Sequence, residues 1–331
     1  MSATTTGAPQ PRERWGWRRY LSVTVTAVAF AYLAAALRSN WATLADFDWR
    51  PGPADIVALG LFSAAVPLSG VLWGRILGEL TEVSLRTRTL VSVHIESWLL
   101  RYIPGQVAGL ARKVAWGKQR GVPTSAVTAS FTYDFLFHLC ASAVIGLPVA
   151  LLGVSDSGAG YTALLVLVGV AQLAILGLPL AFRLVPSGIG ERLRTSLIGL
   201  RVSLRLQVWY LMPRLLNAAG FVVLAVRFGA ISGTTDVLSV GAVYVLAGAV
   251  GILAFLVPSG LGVREAVIIA ALGPAIGESA ALVLAITARF IAVAADVVLV
   301  GVLIVLKSMR ERTTAQDSQG ASPERQQELF P

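Results

Sequence analysis

The sequence is poor in charged residues, cysteine and histidine. Only 14% of its 331 residues are charged and 56% are hydrophobic, whereas about a quarter of the residues of a soluble domain are charged. The composition therefore excludes an ordinary soluble enzyme or binding domain. The single cysteine, Cys140, excludes a disulfide framework, and its apolar surroundings predict a buried, inert thiol.

Motifs of enzymes and of metal or nucleotide sites are missing as well. The two histidines, His94 and His138, lie in different segments and neither belongs to a zinc-binding spacing such as H-E-x-x-H, which favours a polar packing role. The sequence has neither a G-x-S-x-G nucleophile turn nor a P-loop. No cofactor and no soluble catalytic domain are expected.

Long apolar runs occupy most of the chain, and a run of about 18 residues is enough to cross a bilayer. The predicted spans are Tyr20–Leu37, Ala54–Gly78, Thr124–Gly153, Tyr161–Leu184, Val208–Phe228, Val237–Val257 and Ser279–Leu306. The first is expected to be a retained helix, because no short apolar core with a small-residue cleavage site precedes it. These runs predict an all-α integral membrane protein.

Two further apolar segments are short and interrupted by proline and glycine. Leu90–Ile103 is stopped by Pro104-Gly105, and Val263–Gly277 is introduced by Pro258-Ser259-Gly260-Leu261-Gly262. Segments of this length more often enter a membrane partway than cross it. Re-entrant or short helices are therefore predicted at both places.

The basic residues predict the orientation, because cytoplasmic loops carry an excess of Lys and Arg. Most of the 27 Lys and Arg residues lie in the two tails and in the segments near 75–88, 112–120 and 183–205. Anionic lipid headgroups, rather than nucleic acid, are the expected counter-charge for the net charge of +9. Both termini are expected on the cytoplasmic side of the cell membrane, the inner or plasma membrane.

Two cytoplasmic termini require an even number of crossings. About eight result if residues 90–120 enter and leave on one side while Val263–Gly277 crosses as a short helix; seven result if both interrupted segments re-enter, which would place the basic C-terminal tail outside. The predicted domains are an N-terminal tail at 1–19, a membrane domain at 20–306 and a disordered tail at 307–331.

The interrupted segments also begin two similar elements, near residues 90–153 and 258–306. Each has a Pro/Gly break, an arginine soon after it and then a span with one charge at similar depth, Asp134 in the first and Arg289 in the second. In the eight-crossing topology these spans run in opposite directions. Paired interruptions of this kind are typical of inverted repeats in transporters, although Pro and Gly also serve as kinks and close-packing points.

Ionisable residues inside the spans allow two interpretations. In the functional one, Arg101, Arg264 and Arg289 line a cavity for an anionic headgroup. Their counter-charges in the empty cavity would be Glu96, Asp134 and Glu265. In the structural one, Arg289 forms a clamp with Asp134 or Asp296, and Arg214 and Arg264 extend to the membrane interface.

Three motifs make the chain resemble a known family. They are Arg101-Tyr102-Ile103-Pro104-Gly105, then Gly121-Val122-Pro123 followed by Asp134, and Pro258-Ser259-Gly260-Leu261-Gly262-Val263-Arg264-Glu265 followed by Arg289. Over about residues 15–310 the chain resembles the lysylphosphatidylglycerol synthase transmembrane region family, the flippase-like membrane domain of multiple-peptide-resistance-factor proteins. The resemblance implies a stand-alone member without the synthase domain. This sequence has Ser259 where the family usually has glycine, and Phe135 where it typically has arginine.

The repeat and the resemblance together predict the site and its function. The predicted substrate-binding residues are Arg101, Pro104, Gly105, Asp134, Pro258, Gly260, Gly262, Arg264, Glu265 and Arg289. The leading hypothesis is a lipid translocase for an anionic or aminoacylated phospholipid or a polyprenyl-phosphate-linked sugar. Alternatives are a non-catalytic membrane partner of a separate glycosyltransferase or lipid synthase, and an intramembrane enzyme with Asp134 or His138 as base.

Overall fold

The computed structural model describes residues 38, 50–81, 83, 85–102, 107–151, 197–231, 234–254 and 260–319. Within these ranges the regular elements are helices, without strands. They are α1 (Pro53–Leu80), α2 (Thr87–Leu99), α3 (Val107–Lys118), α4 (Thr124–Leu151), α5 (Leu200–Arg227), α6 (Thr234–Leu253), α7 (Val263–Ile276) and α8 (Glu278–Gln319). The 3-10 turn Leu100–Tyr102 follows α2. The predicted spans Tyr20–Leu37 and Tyr161–Leu184 lie outside the described residues.

Four helices are long and apolar enough to cross a membrane: α1, α5, and the parts of α4 and α8 at Thr124–Gly146 and Glu278–Ser308. A shorter apolar helix covers Val237–Leu253. Large apolar side chains remain exposed along the outer faces of α5 and α8, including Val208, Met212 and Leu215 on α5 and Phe290, Val297 and Ile304 on α8. Such a surface is unfavourable in water and suited to lipid. The all-α membrane class is therefore confirmed.

Helix boundaries agree with the predicted spans except at two ends. The helix α5 begins at Leu200, before the predicted start at Val208. Its first turns carry Arg201 and Arg205, both exposed, so they fall outside the apolar run on which the prediction rested. The helix α8 continues to Gln319, into the range predicted as a disordered tail. The sequence has no Gly or Pro between Gly301 and Gly320 that would end it, and each added residue gains a backbone hydrogen bond.

Small residues let α1, α2 and α3 approach closely. A Cβ at Gly70 of α1 would lie 3.1 Å from the Cα of Val91 and from the Cβ of His94 on α2. The helix α3 packs back on α2, where Ser97 Oγ donates a hydrogen bond to the carbonyl of Gly109 at 2.9 Å. In lipid the hydrophobic effect does not drive helices together, so close packing of this kind is what favours their association. This packing directs His94 of α2 and the adjoining face of α3 toward the interior of the bundle.

An aromatic stack fixes α6 between α1 and α5. The ring of Tyr244 lies 4.3 Å from that of Phe221 and 5.5 Å from that of Phe62, nearly parallel to both. Each aromatic pair contributes about 0.5–1.5 kcal/mol beyond the area it buries. The stack forms one wall of the cavity described next.

Candidate functional site

A cavity of about 210 Å³ lies inside the helix bundle and is lined by residues of α1 to α8 and the 3-10 turn. Part of its wall is apolar, with Phe62, Val66 and Phe131 among the lining residues. Its charged lining residues are Arg101, Lys113, Asp134, Arg214, Arg264 and Asp296. Since each charge inside a bilayer costs about 2.5–3.5 kcal/mol on insertion scales, a cluster of six calls for a specific reason.

Lys113 and Asp134 form the most deeply buried charge pair. Lys113 is 1% exposed, and its Nζ lies 3.5 Å from Asp134 Oδ2. The same Nζ lies 3.2 Å from His94 Nδ1 and 4.1 Å from the ring centre of Trp73. A charged Lys113 has no acceptor role, so His94 Nδ1 accepts and the proton of the neutral ring is on Nε2. The ammonium is thus held by an anion, an acceptor and a π face.

The other oxygen of Asp134 faces α5. Tyr210 Oη donates a hydrogen bond to Asp134 Oδ1 at 2.6 Å, and His138 Nε2 lies 3.9 Å from the same oxygen. The rings of Tyr210 and His138 meet edge to face with centroids 4.8 Å apart. Both oxygens of the carboxylate are therefore occupied within the protein, which is what a buried anion requires.

A second pair connects the 3-10 turn to α8. Arg101 Nη2 donates to Asp296 Oδ2 at 2.7 Å, and Trp98 Nε1 donates to Asp296 Oδ1 at 3.1 Å. Tyr102 Oη also donates to Asp296. The Arg101 guanidinium lies 4.1 Å from the centre of the Trp98 ring. These bonds fix the end of the first interrupted segment to the last described helix.

The start of α7 presents Arg264 to the cavity. Gly262, with φ +79°, is the residue before the helix, and its N–H donates to Glu265 Oε2 at 2.8 Å. Glu265 therefore caps the N-terminus of α7. Arg264 is the second residue of α7, and its guanidinium stands 3.9 Å above the ring of Tyr244. The charge of Arg264 and the positive end of the helix dipole therefore both favour an anion here.

Gly260 allows the break before α7 to touch α6. It has φ +61°, and a Cβ there would lie 2.8 Å from Gly251 Cα. A Cβ on Gly251 would instead lie 3.7 Å from Gly260 Cα, an ordinary contact. The close approach therefore depends on the glycine at 260 and not on the one at 251.

We expect Gly260→Ala to destabilise the protein and Gly251→Ala to be tolerated. The left-handed conformation costs a non-glycine residue about 1–2 kcal/mol, and a clash with backbone cannot be relieved by a side-chain rotation. Alanine at 251 instead suits a helix interior. Thermal unfolding of the purified variants in detergent measures the difference. Equal melting temperatures for the two variants would contradict this account of the break.

The structure brings some of the predicted site residues together and separates others. Arg101, Asp134 and Arg264 line the cavity, with Gly260 and Gly262 in the turn that positions Arg264. Glu265 and Arg289 face each other behind it, with Arg289 Nη1 3.8 Å from Glu265 Oε1, and neither is among the lining residues. Pro104, Gly105 and Pro258 lie outside the described residues.

Several predicted partners are wrong. The counter-charge of Arg101 is Asp296, whereas Glu96 pairs with Arg112 and, at 2.8 Å, with Lys307. Arg289 pairs with Glu265, one of the counter-charges predicted for the three arginines, and not with Asp134 or Asp296 as the clamp required. Arg214 is only 8% exposed, and both Arg214 and Arg264 line the cavity; their extension to the membrane interface stays a prediction.

Sequence reasoning missed Lys113, which it counted with the basic loop residues. A signal was present, because Lys113 follows Gly109 by four positions and therefore lies on the same helix face. That face packs against α2, as the contact of Gly109 with Ser97 shows. His94 completes the cluster from α2, and Tyr210 and Arg214 complete it from one face of α5, four positions apart. No spacing in the sequence relates these helices to α3.

Metal chemistry gains no support from the described side chains, among which no group of three His, Cys, Asp or Glu is close enough to bind an ion. The chemistry that the cavity offers is recognition of charge. No protein family and no curated protein is found to match this chain, so the family resemblance remains a prediction from its motifs.

Proposed function

We propose that the protein is a lipid translocase, which moves a lipid with an anionic headgroup across the membrane through the cavity that helices α1 to α8 line. The single observation that supports this most strongly is the cavity itself, a charged chamber inside a bundle whose outer surface is apolar. A headgroup needs polar partners to leave the interface, whereas acyl chains can stay in the bilayer. A chamber with both charged and apolar lining residues suits a ligand that has a charged headgroup and apolar chains.

The interrupted elements support the same function. A helix, a break, a short helix and a long helix follow one another in α2–α4 and again in α6–α8, and positive-φ glycines, Gly121 and Gly277, precede the two long helices. Broken backbone at membrane depth is tolerated where it is packed in protein or lines a wet cavity. Paired broken helices around a central site are the plan of many secondary transporters.

Transport assays in vesicles test the proposal. The full chain is reconstituted with headgroup-labelled lipids, and an impermeant quencher reports movement between leaflets. We expect lipid movement without any added protein. Movement or synthesis only in the presence of a glycosyltransferase or lipid synthase would favour the partner role, and a changed lipid mass would favour an intramembrane enzyme. Either result would overturn the translocase.

The topology proposed with this function has eight crossings of the cell membrane and both termini in the cytoplasm. Cysteine labelling in intact cells tests it, in a background where the buried Cys140 is replaced by serine. We expect Ser157→Cys to react with an impermeant maleimide and Ser318→Cys to react only after lysis. Labelling of Ser318→Cys in intact cells would contradict the eight-crossing arrangement.

A further inference from the structure

The charges that line the cavity do not balance. Among the described residues, four basic and two acidic side chains line it, and both acids are already paired: Asp134 with Lys113 at 3.5 Å and Asp296 with Arg101 at 2.7 Å. Arg214 and Arg264 have no carboxylate within salt-bridge distance among the residues that the structure describes. The lining therefore carries two more basic than acidic side chains, and neither Arg214 nor Arg264 has a carboxylate in contact with it among the described residues.

Of these two arginines, Arg214 gives the stronger indication of an external ligand. It lies within α5, is 8% exposed and points into the cavity. Its Nε is buried and has no hydrogen-bond partner in the described part of the chain. A buried guanidinium is normally paired and hydrogen-bonded, because leaving it unpaired is strongly unfavourable. Its orphaned donor and charge indicate a partner that arrives from outside the protein.

Arg214 and Arg264 converge on one face of α6. A Cβ built on Gly248 would lie 3.8 Å from Arg214 Nη1, and one built on Gly251 would lie 3.8 Å from Arg264 Cβ. Tyr244, which carries the Arg264 guanidinium on its ring, shares this face at helical spacing. The absence of side chains at 248 and 251 leaves the space between the two arginines open.

We propose that Arg214 and Arg264 form a subsite for a doubly charged phosphate headgroup, either a phosphomonoester or a diphosphate ester. This inference rests on the proposed function and narrows its substrate. Two guanidiniums match two negative charges, and each can bind a phosphate through two parallel hydrogen bonds. Asn217, one turn after Arg214 and also lining the cavity, adds an amide donor. An aminoacylated lipid, which brings positive charge, is a poor fit.

A pair of lipids with identical acyl chains tests the charge. Phosphatidic acid is a phosphomonoester with a second pKa of about 6, whereas phosphatidylglycerol is a diester with one charge at any relevant pH. We expect the purified full chain in detergent to bind phosphatidic acid at least about tenfold more tightly at pH 8. At pH 5 both lipids carry one charge, and we expect the preference to disappear.

The pH control separates ligand charge from protein charge. The other titratable and charged side chains that line the cavity are His94, His138, Lys113, Arg101, Asp134 and Asp296, and the protein's own charge can change with pH through them. Those changes act on both lipids alike at pH 5, because the two lipids then carry equal charge. The ratio of their affinities therefore reports the second charge of the monoester.

Variants locate the subsite. Arg214→Gln and Arg264→Gln should each reduce the preference at pH 8 by about tenfold, since one charge-assisted contact is lost. Arg205→Gln, an exposed arginine on the same helix as Arg214, is the matched control and should leave the preference unchanged. Size-exclusion chromatography is the control for folding, and we expect all three variants to elute as the wild type does.

The outcomes separate this inference from the proposed function. Equal affinity for the two lipids at pH 8, or a preference that survives in Arg214→Gln, would overturn the dianion subsite even if vesicles still move lipid. Tight, tail-independent binding of inorganic phosphate would support the subsite and identify a soluble ligand, against the translocase. Preferred binding of phosphatidic acid over both phosphatidylglycerol and inorganic phosphate supports the subsite with a lipid as its source.

Discussion

Asp134→Asn is expected to destabilise the protein more than any other single substitution at the cavity. It removes the carboxylate that pairs with Lys113, whose side chain is 1% exposed and whose Nζ lies 3.5 Å from Asp134 Oδ2. Breaking a buried pair by removing one member costs about 3–5 kcal/mol, because the other charge is left uncompensated. Tyr210, which donates to Asp134 Oδ1, would also lose its charged acceptor.

The double variant Lys113→Met with Asp134→Asn should recover much of that loss. Removing both charges leaves no orphaned ion, and methionine keeps the bulk of the lysine stem against Trp73. The two substitutions should therefore be strongly non-additive, as expected for residues in contact. Lipid movement should stay low in the double variant if the pair also shapes the site.

Thermal unfolding in detergent measures the effect, with Glu79→Gln as the control. Glu79 is an exposed acid near the end of α1, and its loss should change the melting temperature little. A melting temperature for Asp134→Asn close to that of the control would show that Lys113 carries no charge in the folded protein. The pairing described for this cluster would then be wrong.

Local features of this fold were predictable because local physics determines them. The Pro/Gly break before α7 was predicted, and α7 spans Val263–Ile276 with Gly277 directly after it, in close agreement with the predicted Val263–Gly277. The break is local because glycines at 260 and 262 adopt left-handed conformations that other residues rarely take. The apolar runs likewise predicted α1 and α4, since length and hydropathy alone are sufficient in lipid.

Pairings between side chains were not predictable, because they depend on which helices pack together. Arg289 and Asp296 share a face of α8, but two turns separate them by about 10.5 Å along the axis. The structure pairs Asp296 with Arg101, 195 residues away, and Arg289 with Glu265. Three of the predicted site residues do reach the cavity, since charges placed inside apolar spans must face the interior of a bundle.

The second large effect expected concerns Arg214, and its sign separates a binding residue from a structural one. A structural arginine stabilises the fold, so its removal lowers the melting temperature. Arg214 instead is a buried cation without a carboxylate in salt-bridge contact, and its buried Nε has no hydrogen-bond partner among the described residues. Arg214→Gln should therefore raise the melting temperature of the ligand-free protein, by about 2–4 °C for each kcal/mol of relieved cost.

The same substitution should reduce lipid movement by at least about tenfold, the loss expected for one charge-assisted contact to phosphate. Higher stability with lower activity is the trade-off seen where a site keeps an unfavourable charge for its ligand. Lys113→Gln should have the opposite effect on stability. It leaves the buried carboxylate of Asp134 without its lysine partner, so it should lower the melting temperature.

Both variants are compared with the wild type in two measurements, thermal unfolding without ligand and lipid movement in vesicles at equal protein density. We expect Arg214→Gln to melt higher and transport less, and Lys113→Gln to melt lower. Because the two side chains line the same cavity, a general effect of losing positive charge would shift both melting temperatures in one direction. A lower melting temperature for Arg214→Gln would mean that Arg214 stabilises the empty protein, and the assignment of its charge to a ligand would fail.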